Sequence, residues 1–176
     1  MNKVILLDRD GVINQDSLCY IKSAEEFVLI PGSIKAIARL TSSGYKIGIA
    51  TNQSGISRGL YTHSELQNIH NKMIHCINKE GGEIAAIEFC PHHPEEKCSC
   101  RKPQPGMLIN LAKKLNCSLE EVSFVGDRVS DIQAALAVGA KPQIVLSPMT
   151  DREALLAYPQ VPVFSSLSHY VDSLGI

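Results

Sequence analysis

Three observations predict an α/β fold built on a doubly wound parallel sheet. Strand-like and helix-like segments alternate five times along the chain. The first strand-like run, Val4-Ile5-Leu6-Leu7, is apolar throughout, as in a strand buried on both faces. Successive runs end on polar residues, first Asp8 and Asp10, then Thr51 and Asn52, then Asp127. Sheets of this kind bind ligands just beyond the carboxyl ends of their strands.

The elements follow in order. A loop to about Pro31-Gly32 leads into a helix over Ser33–Leu40, where Ile34, Ile37, Ala38 and Leu40 recur at helical spacing and Gly44 marks the stop. Tyr45–Ala50 reads as the second strand, running into Thr51-Asn52. Thr62 and Glu65 form a capping box for a helix to about Lys79, ahead of Gly81-Gly82. Ile84–Phe89 is the third strand. Pro105 opens the next helix, which ends near Leu115, and Ser118 with Glu121 predicts a further capping box or a turn. Val122–Val125 is the fourth strand, a helix spans Ser130–Val138 before Gly139, and Ile144–Leu146 is the fifth strand. Pro148, Pro159 and Pro162 break any long element between 147 and 164, and a short helix covers Ser166–Leu174.

At 176 residues the chain is expected to form one domain, 1–176. With 17 Lys+Arg against 18 Asp+Glu there is no global field to attract nucleic acid or a membrane surface, so a small ligand is expected, bound by a monomer. MNKVILLDRD has too short an apolar stretch for a signal peptide, and no run nears the ~20 residues that span a bilayer; a cytoplasmic location is expected. Of six cysteines, Cys19, Cys76 and Cys117 are scattered, whereas Cys90, Cys98 and Cys100 are bunched with histidines, which points to a metal rather than to disulfides.

Asp8 and Asp10 suit a divalent cation, and equally a nucleophile with an acid/base beside it; the plainer alternative is a strand end capped by an Asx-turn. In Cys90-Pro-His92-His93-Pro-Glu-Glu-Lys-Cys98-Ser-Cys100, Cys90, His92, Cys98 and Cys100 can wrap a tetrahedral ion. A set closed by four protein ligands leaves no position for water, so a zinc there would be structural, fixing a loop of low apolar content and aiming Arg101 and Lys102. His93 could replace His92, and a loop with incidental thiols is the bland alternative. His63, His70, His75 and His169 lack metal spacing and read as surface residues.

Asp8-x-Asp10-Gly11, Thr51-Asn52, Lys102-Pro103 and Gly126-Asp127-x-x-x-Asp131, in that order, resemble the haloacid dehalogenase-like phosphatases over roughly residues 4–146. The resemblance implies a Rossmann-like fold and Mg²⁺-dependent phosphoryl transfer. Asp8 would be the nucleophile, Asp10 the acid/base, Thr51 a hydroxyl donor to the phosphoryl group and Lys102 its positive charge. Mg²⁺ would be held by Asp8, the Asp10 carbonyl and Asp127, with Asp131 capping a helix or orienting a metal-bound water. The spacing leaves little room for an inserted cap domain, so an open site is expected. Capless groups with a Cys-x-His…Cys-x-Cys zinc loop act on a heptose 1,7-bisphosphate or on histidinol phosphate. Residues 51–59, TNQSGISRG, and 90–94, CPHHP, look more like the heptose group. That implies loss of the 7-phosphate, on the way to nucleotide-activated heptose and lipopolysaccharide core, with Asp16, Asn52, Gln53, Ser54, Arg101 and Arg128 contacting a phosphorylated sugar. Arg101 would hold the second phosphate, unless it pairs with Glu95 or Glu96 at the surface. An alternative of another class, a zinc-stabilised interaction module with a vestigial site, would lack the nucleophile or the lysine, and both are present. A polynucleotide phosphatase would carry a basic stripe that this sequence lacks.

Overall fold

The computed structural model describes residues 3–176; Met1 and Asn2, the start of the expected domain, lie outside the described residues. The strands are β1 (Val4–Leu7), β2 (Lys46–Asn52), β3 (Ala86–Cys90), β4 (Ser123–Gly126), β5 (Lys141–Val145) and β6 (Val163–Phe164). The helices are α1 (Ser33–Ser42), α2 (His63–Lys79), α3 (Gly106–Leu115), α4 (Val129–Leu136) and α5 (Leu167–Ser173). The strands form one parallel sheet in the order β3-β2-β1-β4-β5-β6.

The pleat of β1 divides the core. Ile5 and Leu7 face one apolar cluster with Ile37 and Leu40 of α1, Ile69 and Met73 of α2, and Tyr170 and Val171 of α5. Val4 and Leu6 face the other, with Leu108 and Leu111 of α3 and Ala134 and Ala135 of α4. Each β1 side chain is therefore covered whichever way it points, which explains a run with no polar residue in it. The chain winds outward from β1 to β2 and β3, then crosses back to β4 on β1's other side. The crevice at this reversal lies between β1 and β4, where Asp8 N–H donates to the Val125 carbonyl at 2.8 Å.

The sequence expectations need three corrections and one choice between alternatives. The region 147–164 contains a sixth strand, β6, too short and too closely flanked by proline to show a period; it pairs with Ile144 and Val145. β5 begins earlier than expected, since Lys141 and Pro142 lie opposite Ser123 and Phe124 without being part of an apolar run. Of the two alternatives at Ser118 the turn is the one present: its hydroxyl accepts from Glu120 N–H, and Glu121, at φ 68°, turns the chain into β4. Pro105 is the residue before α3, not its first. The capping box at Thr62 and Glu65 is present as expected. Among the described residues no helix is long and apolar enough to cross a membrane.

Candidate active site

Asp8 leaves β1 at the reversal and is nearly buried. Its Oδ1 accepts from Arg9 N–H at 2.7 Å and lies 3.0 Å from the Lys102 ammonium. Lys102 also meets Asp131 Oδ1 at 2.8 Å and donates to the Ala50 carbonyl at 3.0 Å, so its three protons have three acceptors. Burial works against the ammonium, but Asp131 and Asp8 outweigh it and hold Lys102 above its ordinary range. Burial, with Asp131, Asp127 and Asp10 nearby, pushes the Asp8 carboxyl well up against the opposing pull of Lys102. The backbone of Lys102 is fixed by Asn52, whose amide donates to the Lys102 carbonyl and accepts from its N–H, at 3.2 and 3.0 Å.

Asp127 follows β4. Burial and Asp131 raise its carboxyl to about 7. Ser147 Oγ donates to Asp127 Oδ2 at 2.6 Å, and Thr150 Oγ1 donates to the Asp127 carbonyl at 2.7 Å, so the loop after β5 fixes this carboxylate. Gly11, at φ +82°, makes room for it: a Cβ there would sit 2.1 Å from Asp127 Oδ2. Asp127 Oδ1 is buried without a hydrogen-bond partner among the described residues. Carboxylate oxygens of Asp8, Asp127 and Asp131 lie within 4.8 Å of one another. Asp131, however, already holds Lys102, and its Oδ2 accepts from the N–H groups of Asp127 and Arg128, which caps α4. The unpartnered Asp127 oxygen facing another carboxylate is the donor set a hard cation takes, and the residues fit Mg²⁺.

Asp10 is set differently. Its Oδ1 accepts from Arg9 Nη2 at 2.7 Å and Asn14 Nδ2 at 2.9 Å, and its Oδ2 from Gln53 Nε2 at 3.0 Å. Burial alone would raise this carboxyl; the Arg9 charge and the three side-chain donors outweigh it and hold it below the usual range. Arg9 itself is fully buried, beneath the Phe27 ring and 3.2 Å from His70 Nε2. A guanidinium only donates, so His70 must accept there as a neutral imidazole. Burial, and then Arg9, push His70 down to about 3. His70 is thus an interior residue rather than a surface one, because Leu66, Ile69, Met73 and Ile77 are the buried residues around it on α2.

These groups open on a cleft of about 540 Å³ whose lining includes Asp8, Asp10, Asp16, Asn52, Gln53, Ser54, Arg101, Lys102 and Arg128. Asp16 and Arg128 reach each other across it at 2.9 Å. Ser54 accepts from Arg58, which sequence reading left out of the site, although it falls within the 51–59 segment. Arg101 Nη1 is buried and unpartnered, while Glu96, a surface partner considered for it, accepts from Ser57 and from His93 N–H. Thr51 is buried, and its Oγ1 accepts from Gln53 Nε2. Sequence reading missed Arg9, Asn14, Tyr61, His70, Ser147 and Thr150. A charged residue between Asp8 and Asp10 in an otherwise apolar stretch was a usable signal for Arg9; nothing local distinguishes the others.

On the rim, one ligand atom from each of Cys90, His92, Cys98 and Cys100 falls within 4.8 Å of the others. His92 Nδ1 lies 3.4 and 3.2 Å from the sulfurs of Cys90 and Cys100. Burial opposes ionisation of Cys98, but the N–H groups of Arg101 and Cys100 and the neighbouring thiols bring it down to about 6, whereas burial pushes Cys90 and Cys100 up, so the thiolate is favoured at Cys98 alone of the three. His93 turns away and accepts from Glu95 N–H, capping the short 3₁₀ turn Pro94–Glu96. Three sulfurs and one imidazole nitrogen fit zinc.

A family model described as HAD-hyrolase-like matches residues 99–171. A D-glycero-beta-D-manno-heptose-1,7-bisphosphate 7-phosphatase from Pseudomonas putida is 47% identical over 167 residues, covering 94% of this chain and 95% of its own length. The enzyme of the same name from Helicobacter pylori is 38% identical, covering 82% and 84%. Among solved structures, D,D-heptose 1.7-bisphosphate phosphatase from B. bronchiseptica, crystallised with magnesium and phosphate, superimposes with a TM-score of 0.90 at 41% identity, over 98% of this chain and 97% of that one. These likenesses place the chain in the heptose-1,7-bisphosphate 7-phosphatase family of haloacid dehalogenase-like hydrolases.

Proposed function

We propose that this chain is a magnesium-dependent phosphatase that removes the 7-phosphate of D-glycero-β-D-manno-heptose 1,7-bisphosphate through an aspartyl-phosphate on Asp8. The observation that carries the reading is the Lys102 ammonium between Asp8 and Asp131 at the β1/β4 crevice, beside a cleft lined by Arg58, Arg101 and Arg128. The relatives' names support the substrate and the β anomer.

Lys102 offsets the repulsion between the Asp8 carboxylate and an incoming phosphate dianion. Asp8 attacks phosphorus, the bond from phosphorus to the sugar oxygen breaks, and Asp10 gives that oxygen its proton. Water then attacks the acyl phosphate, Asp10 takes the water's proton, and inorganic phosphate leaves with Asp8 restored. The donors around Asp10 favour its carboxylate, the form the second step needs; a phosphate dianion in the cleft adds the negative charge that favours its protonated form for the first. Thr51 donates its hydroxyl to the phosphoryl oxygens. Mg²⁺, when bound, neutralises non-bridging oxygens, and Asp8, Asp127 and the Asp10 carbonyl would hold it. Arg101, with its buried free Nη1, and Arg128 bind the remaining phosphate and sugar. Zinc at Cys90, His92, Cys98 and Cys100 fixes the loop that carries Arg101 and Lys102. The reading includes a single-domain, monomeric, cytoplasmic enzyme serving nucleotide-heptose and lipopolysaccharide core synthesis.

The test is kcat/KM with Mg²⁺ on the β and α anomers of heptose 1,7-bisphosphate, fructose 1,6-bisphosphate, histidinol phosphate and a 3′-phosphorylated oligonucleotide. A clear preference for the β-heptose substrate is expected. Preference for histidinol phosphate overturns the substrate assignment, and no phosphate release from any of them overturns the reaction.

A further inference from the structure

Gln53 lines the cleft and commits its amide to three protein partners. It is 4% exposed, and its Nε2 lies 3.0 Å from Asp10 Oδ2 and 2.9 Å from Thr51 Oγ1. Its Oε1 is 2.5 Å from the hydroxyl of Tyr61, also 4% exposed. The polarity of this chain is fixed by chemistry. A carboxylate only accepts, so the nitrogen end of the amide must face Asp10; the oxygen end then faces Tyr61, whose hydroxyl must donate. Thr51 Oγ1 accepts from Gln53 and so keeps its own proton free for a partner in the cleft. The Tyr61 ring fits only because residue 55 is glycine: a Cβ there would sit 2.1 Å from the ring.

We propose that Gln53 and Tyr61 are a positioning pair: Tyr61 locks the orientation of the Gln53 amide, and that amide aims the acid/base Asp10 and the phosphoryl donor Thr51 together. The inference rests on the phosphatase reading above. Gln53 holds the acid/base and the phosphoryl donor directly, and Tyr61 acts through Gln53. Asp10 is gripped at Oδ1 by Arg9 and Asn14 from its own loop, and Gln53 is the grip on Oδ2 from the β2 side. Losing it leaves the carboxylate free to turn about the bond to its Oδ1 anchors. The proton transfer it makes to the leaving oxygen then loses alignment, and with Thr51 unguided the transfer step suffers again.

The experiment compares Tyr61→Phe, Gln53→Met and the double variant, as Mg²⁺-loaded full chain, on heptose 1,7-bisphosphate and on p-nitrophenyl phosphate. Met keeps most of the volume of Gln without its donors, and thermal melting establishes that each variant is folded. An alkoxide leaving group needs a proton from Asp10 and a nitrophenolate does not. Gln53→Met should therefore lower kcat/KM about 30-fold on the sugar but only ~5-fold on the aryl ester. Tyr61→Phe should lower it ~5-fold on the sugar, and the double variant should be within ~2-fold of Gln53→Met, since Tyr61 acts through Gln53. Equal losses on the two substrates, or multiplying losses in the double variant, overturn the proposal while leaving the enzyme reading intact. A folded wild-type chain that hydrolyses neither substrate overturns that reading instead.

Discussion

The two groups of residues that could hold a metal ion are built in opposite ways. Cys90 ends β3 and His92, Cys98 and Cys100 stand in the loop that follows, so their side chains meet because the chain is short between them. Asp8 and Asp127 come from two strands distant in sequence, and they meet because β1 and β4 are neighbours in the sheet. The first set can be read by counting residues; the second requires a fold. The difference also separates what each set would control under the proposed function, the loop holding a rim in place and the crevice supplying the carboxylates for the reaction.

The sharpest way to break this division is at Asp8. Asp8→Asn should leave the fold intact but less than a hundredth of wild-type turnover, a barrier increase above ~2.7 kcal/mol, because an amide cannot form the acyl phosphate. Steady-state phosphate release checks it, and a more active variant removes Asp8 from the nucleophile's place. Next is Arg101, which the loop carries toward the crevice. Arg101→Ala should lower kcat/KM by roughly 10–150-fold on a bisphosphate, as for loss of one charged hydrogen bond, and much less on a matched monophosphate. Equal losses on both would mean that the rim holds no second phosphate.

Changing Cys98 and Cys100 together to Ser should abolish zinc binding, seen by elemental analysis, and lower stability modestly, because the sheet folds without the loop. A loss of ~1–2 kcal/mol corresponds to a fall in Tm of about 2–8 °C for a chain of this size. Full zinc content in that variant would send the search to other ligands. At neutral pH the smallest effect is expected at His70, whose signature is a slope against pH. Its pKa falls from 6.5 unfolded to about 3 folded, so between those values the unfolded chain binds a proton that the native one does not. Stability is therefore lost as pH falls from about 6.5 toward 3. His70→Gln keeps an acceptor for Arg9 without a titrating ring and should flatten Tm against pH in that window. An unchanged slope would place the acid sensitivity elsewhere.

How much of this was legible followed the same division. β1 could be read because its two faces are both covered, and the capping box before α2 because Thr62 and Glu65 satisfy each other locally. Asp8, Asp10, Thr51, Lys102 and Asp127 could be read because each follows a strand or stands in a short motif. β6 could not, since two residues directly after Pro162 carry no period. Ser147 and Thr150 support Asp127 from a loop whose sequence resembles any polar connection. His70 has the spacing of an ordinary helical residue, and its contact with Arg9 spans 61 positions. Local grammar specifies elements and edge residues; the hands that hold those residues are specified only by packing.

The burial of Arg9 limits what could be transplanted. Its guanidinium lies wholly inside the protein, under Phe27, against His70 of α2 and bound to Asp10. A designer who grafted residues 8–14 onto another parallel sheet would import an Arg9–Asp10 ion pair without the Phe27 and His70 that enclose it, and desolvating an ion pair in a site that does not fit it costs several kcal/mol. The short acidic motif is thus not a portable cassette. It moves only with the loop that brings Phe27 and the helix that brings His70, so the minimal unit of inheritance or of engineering for this site is the whole first half of the sheet.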